Sequence, residues 1–361
     1  MMKIVFAGGG TAGHIEPALA VARLWRQNHP GDELQFIGTA SGLENQLVPA
    51  AGFKLSHIPK VVIPRKLSLK LLKVPLTLSS SFLAARKLLN GADLLIGFGG
   101  YVSAPAYLAA KSLRVPFVVH EANARPGFAN RLGARLSPYC AISQPVQSGV
   151  LQSALVTGIP LREDVATALV KSAGDWTGSR ARAKRALGFS STEPLVLAFF
   201  GSQGSVALNQ VIAQSLPSLL ANGSQLLHAV GKLNALPPRQ ERYKSTAYIE
   251  DMAMAYLAAD LIISRSGAIS CSEVNALGKY ALFIPLPIGN GEQSFNANSL
   301  VSQGRAEVLQ QNKFTSAWLN LNINRLLNLA ASSADTGSDS DALATEKIVN
   351  YMQYALKSQV S

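Results

Sequence analysis

The sequence predicts an α/β protein built from two Rossmann-like parallel-sheet domains. Three observations carry this. Short β-rich runs alternate with helical patterns along the chain; the pattern restarts near residue 195; and each half opens with a strand, a glycine-rich turn and a helix. Alternation of strand and helix builds βαβ units, whose parallel sheet is covered by helices on both faces.

In the first half, 3–7, 34–38, 93–97 and 116–120 read as strands, and 17–27, 44–51 and 104–113 as helices. Pro17 suits a first helical turn, where a missing N–H costs nothing. A boundary is expected near Thr157-Gly158-Ile159-Pro160, followed by a charged helical stretch over 163–187. In the second half, strands are expected at 195–200, 225–230, 261–264, 280–285 and 306–309, and helices at 205–220, 252–259, 268–277 and 293–303. Gly278 and Gly304 directly follow two of these helices, where a left-handed cap residue belongs. A Ser/Asp/Gly-rich run, 332–341, reads as a loop. The last helix, about 343–357, is expected to cross back, giving domains 1–158 (with 343–361) and 159–342. A length of 361 residues accommodates two domains.

Composition narrows the function classes. Hydrophobic residues make up 48% and charged residues 15%, which excludes a disordered or coiled-coil chain. The net charge of +12 favours an anionic partner, or simply gives a basic solvated surface. Cys140 and Cys271 form no CxxC pair, so they read as buried free thiols in a reducing compartment. No secretory leader and no run of about 18 apolar residues is read, so a cytoplasmic protein is expected. No aromatic–basic platform points to nucleic acid.

The glycine-rich turns carry the chemistry. Gly8-Gly9-Gly10-Thr11-Ala12-Gly13-His14 follows the first strand; glycine admits a ligand close to the backbone, and a helix N-terminus offers N–H groups to an anion. This matches GxGxxG, but the acid that would hold a dinucleotide ribose at the end of the second strand is missing from Phe36-Ile37-Gly38-Thr39-Ala40, and Glu44 comes later, in a helix. Gly97-Phe98-Gly99-Gly100-Tyr101 and Gly201-Ser202-Gln203-Gly204 are two further turns after strands. Each alone is an ordinary βα turn; three at matching sheet edges favour a diphosphate site, expected where the two sheets face each other across a cleft.

Ser264-Arg265-Ser266-Gly267-Ala268-Ile269-Ser270-Cys271-Ser272-Glu273 sets small residues before a carboxylate in or near the first helical turn. Glu273 either complements the helix dipole or accepts a ribose diol. His120-Glu121-Ala122-Asn123-Ala124 is not HExxH, and Asp339-Ser340-Asp341 lies in the low-complexity loop, so no metal site is expected.

Together these residues resemble the MurG family of peptidoglycan glycosyltransferases. The resemblance runs from residue 8 to about 297: Gly9 to His14, Gly99 to Ser103, His120-Glu121 with Asn123, Gly158 to Arg162, Gly201 to Gly204, Arg265 to Ala268, and Gln293 with Asn296-Ala297. It implies a GT-B fold, with Gly99, Gly100 and Tyr101 on the acceptor side, and inverting transfer from UDP-GlcNAc to lipid I without a required cofactor. By position, Glu273 is similar to the ribose ligand. Ile249 and Arg162 resemble uracil-side or nucleotide contacts, and Ser202 with Ala268, Ile269, Ser270, Cys271 and Ser272 diphosphate and ribose contacts. Thr11, Ala12, Gly13, Asn123 and Gln293 resemble contacts to the diphosphate or sugar. The chain departs from the family at Ala12 and Ala122, where many members have Gly and Gln, and at Glu292, where some have a second Gln. His14 and Glu121 are the two candidate bases for the acceptor hydroxyl; an imidazole can titrate near neutrality, and the alternative role of His14 is binding an acceptor phosphate.

Residues 64–75 read Pro-Arg-Lys-Leu-Ser-Leu-Lys-Leu-Leu-Lys-Val-Pro. On a helix, Lys66, Lys70 and Lys73 share a stripe flanked by leucines including Leu69 and Leu72, with Phe82 following. This is either an interfacial patch for an anionic leaflet, at the cytoplasmic face of the membrane that holds a lipid-linked acceptor, or an ordinary helix with a solvated lysine stripe. The rival functions that keep this fold are a UDP-sugar 2-epimerase, another lipid-directed glycosyltransferase and a two-lobed sugar-binding protein.

Overall fold

The computed structural model describes residues 1–61, 74–146, 148–288, 291–333 and 336–358. It divides into two compact units, residues 1–162 with 340–361, and residues 163–339.

The first unit holds a parallel sheet of β1 (Lys3–Ala7), β2 (Glu33–Gly38), β3 (Lys54–His57), β4 (Leu94–Gly97), β5 (Phe117–Glu121), β6 (Tyr139–Ile142) and β7 (Leu155–Val156), in the order β3-β2-β1-β4-β5-β6-β7. Its helices are α1 (Ala12–Asn28), α2 (Glu44–Ala50), α3 (Val74–Leu89), α4 (Ser103–Leu113) and α5 (Phe128–Leu136). The central strands are mostly apolar, as in residues 4–7, 94–96 and 117–119, because both faces are covered. Ile4, Phe6 and Phe36 pack with Trp25 of α1, while Val5, Ala7 and Val119 pack with Tyr107 of α4 on the other face.

The second unit repeats the architecture. After α6 (Glu163–Ser172) and α7 (Trp176–Ala186) come β8 (Leu195–Phe199), α8 (Val206–Ala221), β9 (Gln225–Ala229), β10 (Tyr243–Thr246), α9 (Met252–Ala258), β11 (Leu261–Ser264), α10 (Ala268–Ala276), β12 (Tyr280–Phe283), α11 (Gln293–Asn296), α12 (Asn298–Ser302), β13 (Ala306–Val308) and α13 (Ser316–Ser332). The strand order is β10-β9-β8-β11-β12-β13, again parallel. The last helix, α14 (Ala344–Lys357), packs on the first unit, with Ile348, Val349, Met352 and Ala355 buried against Ile4, Phe6 and Ile96.

Both sheets start in the middle and run outwards, so chain direction reverses between β1 and β4 and between β8 and β11. Open parallel sheets bind ligands beyond the carboxyl ends of their strands at such switch points. The loops after these four strands are the glycine turns at 8–13, 97–100 and 201–204 and the run 265–267.

Several local expectations need correction. Helix α1 begins at Ala12, so Pro17 falls in the second turn, where it withholds the N–H that would otherwise meet the Gly13 carbonyl. The expected helix over 293–303 is two short ones meeting at Ala297. The stretch 163–187 is two helices, the second capped by Asp175, whose carboxylate accepts from the Gly178 N–H at 2.8 Å. The short strands β3, β6, β7 and β10 escaped the reading, as did α5 and α13; β3 and β10 are polar, edge-of-sheet segments and β7 spans two residues, too little for a periodic signal. Gly278 and Gly304 do adopt φ of +66° and +68°. Among the described residues, no helix is long and apolar enough to cross a membrane.

Candidate functional site

In the first unit the turns after β1 and β4 meet at His14. His14 is half-buried on the first turn of α1, its Nδ1 lying 3.2 Å from the Gly9 carbonyl and 3.3 Å from Thr11 Oγ1. A carbonyl only accepts, so the Gly9 contact places the proton on Nδ1 and leaves the lone pair on Nε2. Gly99 and Gly100 flank the ring: a Cβ at Gly99 would lie 3.3 Å from Nε2, and one at Gly100 3.3 Å from Nδ1. Both have positive φ, +94° and +83°, and the Gly100 Cβ would also run into the Gly9 carbonyl. Tyr101 is partly exposed beside Gly10, and the Lys60 ammonium sits 4.6 Å from its ring centre.

The β4 turn is clamped by Ser103, whose Oγ donates towards the Ala7 (3.1 Å) and Gly99 (2.7 Å) carbonyls and accepts from the Gly99 N–H (3.1 Å). Asn130 of α5 extends the network. Its Nδ2 donates to the His120 carbonyl (2.9 Å) and Glu121 Oε2 (3.1 Å), and its Oδ1 accepts from Tyr107 Oη (2.9 Å). Glu121 is buried and also accepts from Gly127 N–H (2.8 Å), Asn123 N–H (2.9 Å) and Asn123 Nδ2 (3.1 Å). Four donors therefore converge on this carboxylate, and Asn123 is fixed by it. His120 is fully buried, with Nε2 3.1 Å from the Gly158 carbonyl; burial lowers its pKa to about 4.

Beneath the first glycine turn lies a second buried carboxylate. Glu44, at the start of α2, has no exposed surface; its Oε2 accepts from Gly10 N–H (2.9 Å), and its Oε1 from Thr39 N–H and Thr39 Oγ1 (both 2.9 Å). Burial pushes its pKa up, but the donors of Gly10 and Thr39, with its own N–H, outweigh that and hold it below the usual carboxylate value.

In the second unit, Gly201 (φ +86°) and Gly204 (φ +72°) shape the turn bearing Ser202. The Ser202 carbonyl accepts from Lys232 N–H at 3.1 Å, and Asn234 Nδ2 donates to the Gln203 (2.9 Å) and Val230 (2.8 Å) carbonyls. Asn209 of α8 also donates to Val230 O (2.7 Å), and its Oδ1 lies 3.1 Å from Nε2 of buried His228. Burial lowers the His228 pKa to about 4. After β11, Arg265 donates to the Ile284 and Pro285 carbonyls (both 3.0 Å) and Gln311 Oε1 (2.7 Å), so it ties the end of β12 in place. Asn296 Nδ2 donates to the Ser266 carbonyl (3.0 Å), and Gln293 Oε1 accepts from Leu286 N–H (3.0 Å).

Ala268, Ile269 and Ser270 form the half-buried first turn of α10, while Cys271, Ser272 and Glu273 are buried. Glu273 is the sixth residue of the helix, beyond the first turn where a carboxylate best complements the dipole, which weakens the dipole reading. Cys271 faces the interior, where burial drives its thiol pKa far up, and burial takes Cys140 to about 11. Ile249 is buried after β10, and Arg162 closes the first unit rather than sitting in the second.

The N-caps of α1, α8 and α10 (Thr11, Ser205 and Gly267) make no side-chain cap bond. The same holds for α2, α4, α5, α11, α12 and α14, whereas α7, α9 and α13 are capped by Asp175, Asp251 and Thr315. The helices at the switch points thus keep N-terminal N–H groups available to an anion. Among the described residues, no group of three His, Cys, Asp or Glu side chains could hold a metal ion.

Lys66, Lys70, Lys73, Leu69 and Leu72 lie outside the described residues. Phe82 packs partly into the core beside Ala85, whereas Leu76 and Leu83 of the same helix are 74% and 61% exposed. Sequence reasoning missed Tyr107, Asn130 and Asn209, quoted Ser103 only as part of the resemblance, and set Glu44 aside. A lone carboxylate set among Gly38, Gly42 and Thr39, without a neighbouring cation, was the available signal for Glu44.

Two parallel-sheet units with anion-ready helix starts at their switch points define a GT-B glycosyltransferase fold. Residues 4–139 match the glycosyltransferase family 28 N-terminal domain and residues 195–352 its C-terminal domain. The chain belongs to glycosyltransferase family 28. It is 44% identical over 351 residues to the UDP-N-acetylglucosamine–N-acetylmuramyl-(pentapeptide) pyrophosphoryl-undecaprenol N-acetylglucosamine transferase of Corynebacterium glutamicum, covering 97% of this chain and 95% of that one. The Streptomyces coelicolor protein of the same name is 42% identical over 357 residues, covering 95% and 96%. Among solved structures, MurG of Acinetobacter baumannii superposes with a TM-score of 0.71 at 27% identity, covering 98% of this chain and 100% of that one. A UDP-GlcNAc 2-epimerase from Neisseria meningitidis shares the fold alone, with a TM-score of 0.59 at 17% identity.

Proposed function

We propose that this protein transfers N-acetylglucosamine from UDP-GlcNAc to the 4-hydroxyl of the MurNAc in undecaprenyl-pyrophosphoryl-MurNAc-pentapeptide (lipid I), giving lipid II for peptidoglycan synthesis. The observation that carries this reading is the likeness, nearly end to end at 42–44% identity, to relatives bearing that activity in their names. The epimerase rival has only the shared fold in its favour.

The first unit binds the acceptor and supplies the base; the second supplies most of the contacts to UDP-GlcNAc. His14 Nε2 takes the proton of the acceptor 4-hydroxyl as its oxygen attacks the anomeric carbon. The bond to UDP breaks in the same in-line step, so an α-linked donor yields a β-1,4 product. His14 is favoured over Glu121, whose carboxylate already accepts from Asn123, Gly127 and Asn130. The charge that builds on UDP is offset by the uncapped N-termini of α8, with Ser202, and of α10, together with Arg162. Glu273 accepts the ribose diol, Ile249 borders the uracil, and Thr11, Gly13, Asn123 and Gln293 orient diphosphate and sugar. The enzyme works as a peripheral protein at the cytoplasmic face of the membrane, with the 64–75 lysine stripe and the exposed Leu76 and Leu83 as contact.

The test is turnover of UDP-GlcNAc with a short-chain lipid I analogue. Formation of the disaccharide supports the reading; release of free sugar without acceptor overturns it in favour of the epimerase. Membrane contact is checked by vesicle co-sedimentation, which should rise with anionic lipid and fall with salt; indifference to both removes the lysine stripe from that role.

A further inference from the structure

The loop after β1 has the glycine spacing of a phosphate cradle, yet one of its backbone donors is already spent. The Gly10 N–H points to Glu44 Oε2 at 2.9 Å. The other carboxylate oxygen is held by two donors of Thr39, and the whole group is sealed from solvent. The surrounding glycines make room for it: a Cβ at Gly9 would lie 2.9 Å from Glu44 Oε1, and one at Gly38 2.7 Å from its Cγ, with Gly42 closer still. The carboxylate therefore works as an internal ligand that sets the path of Gly9 and Gly10. Those residues in turn hold His14, through the Gly9 carbonyl at 3.2 Å and the adjoining Thr11.

From this geometry we infer that Glu44 is a positioning residue for His14: by binding the Gly10 amide it converts a phosphate-type glycine loop into a rigid seat for the imidazole. The inference rests on the transferase reading above and deepens it. Glutamine keeps the shape of Glu44 but not the chemistry. Its NH₂ must face either Gly10 N–H or the Thr39 donors, and in each case donor meets donor, so one end of the loop is released.

The experiment compares wild type, E44Q, H14A and the double variant in full-length protein, with UDP-GlcNAc and the lipid I analogue, after thermal melts establish that each is folded. E44Q is expected to lower kcat by about 100-fold, the size of effect a misplacement near 1 Å produces. KM for UDP-GlcNAc should rise far less than kcat falls, because its proposed ligands Ser202, Ile249, Glu273 and Gln293 belong to the other unit and only Thr11 and Gly13 lie in this loop. In the H14A background E44Q should cost nothing further, since residues acting as one unit are not additive. A merely structural role would instead multiply the two losses or appear mainly in donor KM, and either result overturns the inference, as does an E44Q kcat within about threefold of wild type. Wild type without turnover sinks the transferase reading itself, which separates the two failures. If E44Q does not fold, Thr39→Val, which removes the hydroxyl donor and keeps the charge, carries the same cycle with His14→Ala.

Discussion

Replacing Gly100 by alanine tests the seat of His14 most directly. Gly100 holds φ at +83°, a conformation that costs an L-residue about 1–2 kcal/mol. The new methyl would overlap the Gly9 carbonyl oxygen and stand 3.3 Å from His14 Nδ1. Relieving the overlap with a backbone atom moves that carbonyl by about 1 Å, and displacements of this size at a reacting group cost about 100-fold in rate. The Gly9 carbonyl is the same oxygen that orients the imidazole. G100A should therefore lose about 1–3 kcal/mol in urea unfolding and about 100-fold in kcat, with a far smaller change in UDP affinity by calorimetry, since Ser202 and Glu273 lie in the other unit. Turnover within about threefold of wild type in a folded G100A protein would refute the claim that this turn fixes the base.

Three further perturbations probe other parts of the argument. Glu273→Gln should weaken UDP-GlcNAc binding by about 30-fold, the loss of one charge-assisted hydrogen bond of about 2 kcal/mol, while kcat changes little; unaltered affinity removes Glu273 from the ribose. Asp260 accepts from buried Lys184 at 2.6 Å and from Leu195 N–H at 2.7 Å, but its own side chain is 32% exposed; Asp260→Ala should therefore destabilise by about 2–3 kcal/mol, below the full cost of breaking a buried pair. Burial depresses the pKa of His120 and His228 to about 4 from 6.5, so between these values the unfolded chain takes up protons that the folded one refuses. Stability should be full above pH 6.5 and fall as pH drops towards 4; His228→Gln should flatten that slope in urea titrations, and an unchanged slope would dismiss His228 as a source.

The legible part of this protein is the part written in local pattern. Buried parallel strands are predominantly apolar, so β1, β2, β4, β8 and β11 announce themselves, and glycines at strand ends mark where backbone and ligand come close. Left-handed caps such as Gly278 and Gly304 are equally local. Short or polar edge strands such as β3, β7 and β10 carry no such periodicity. Their pairing is decided by the neighbour already in the sheet, as Lys54 to Gln35 and Tyr243 to Leu226 illustrate.

The sequence by itself determined the two α/β units, the glycine turns and the identity of His14, Glu121 and Glu273 as groups worth weighing. Only the tertiary structure decided which groups surround them. Strand order brought the loops after β1 and β4 side by side, which puts Gly99 and Gly100 on the ring of His14. Helix α5 brought Asn130 to Glu121, filling that carboxylate with donors, and α2 slid Glu44 under the loop it was too distant in sequence to suggest. A residue's chemistry depends on which donors surround it, and those donors come from elements far apart in the chain that meet only when the sheet is assembled.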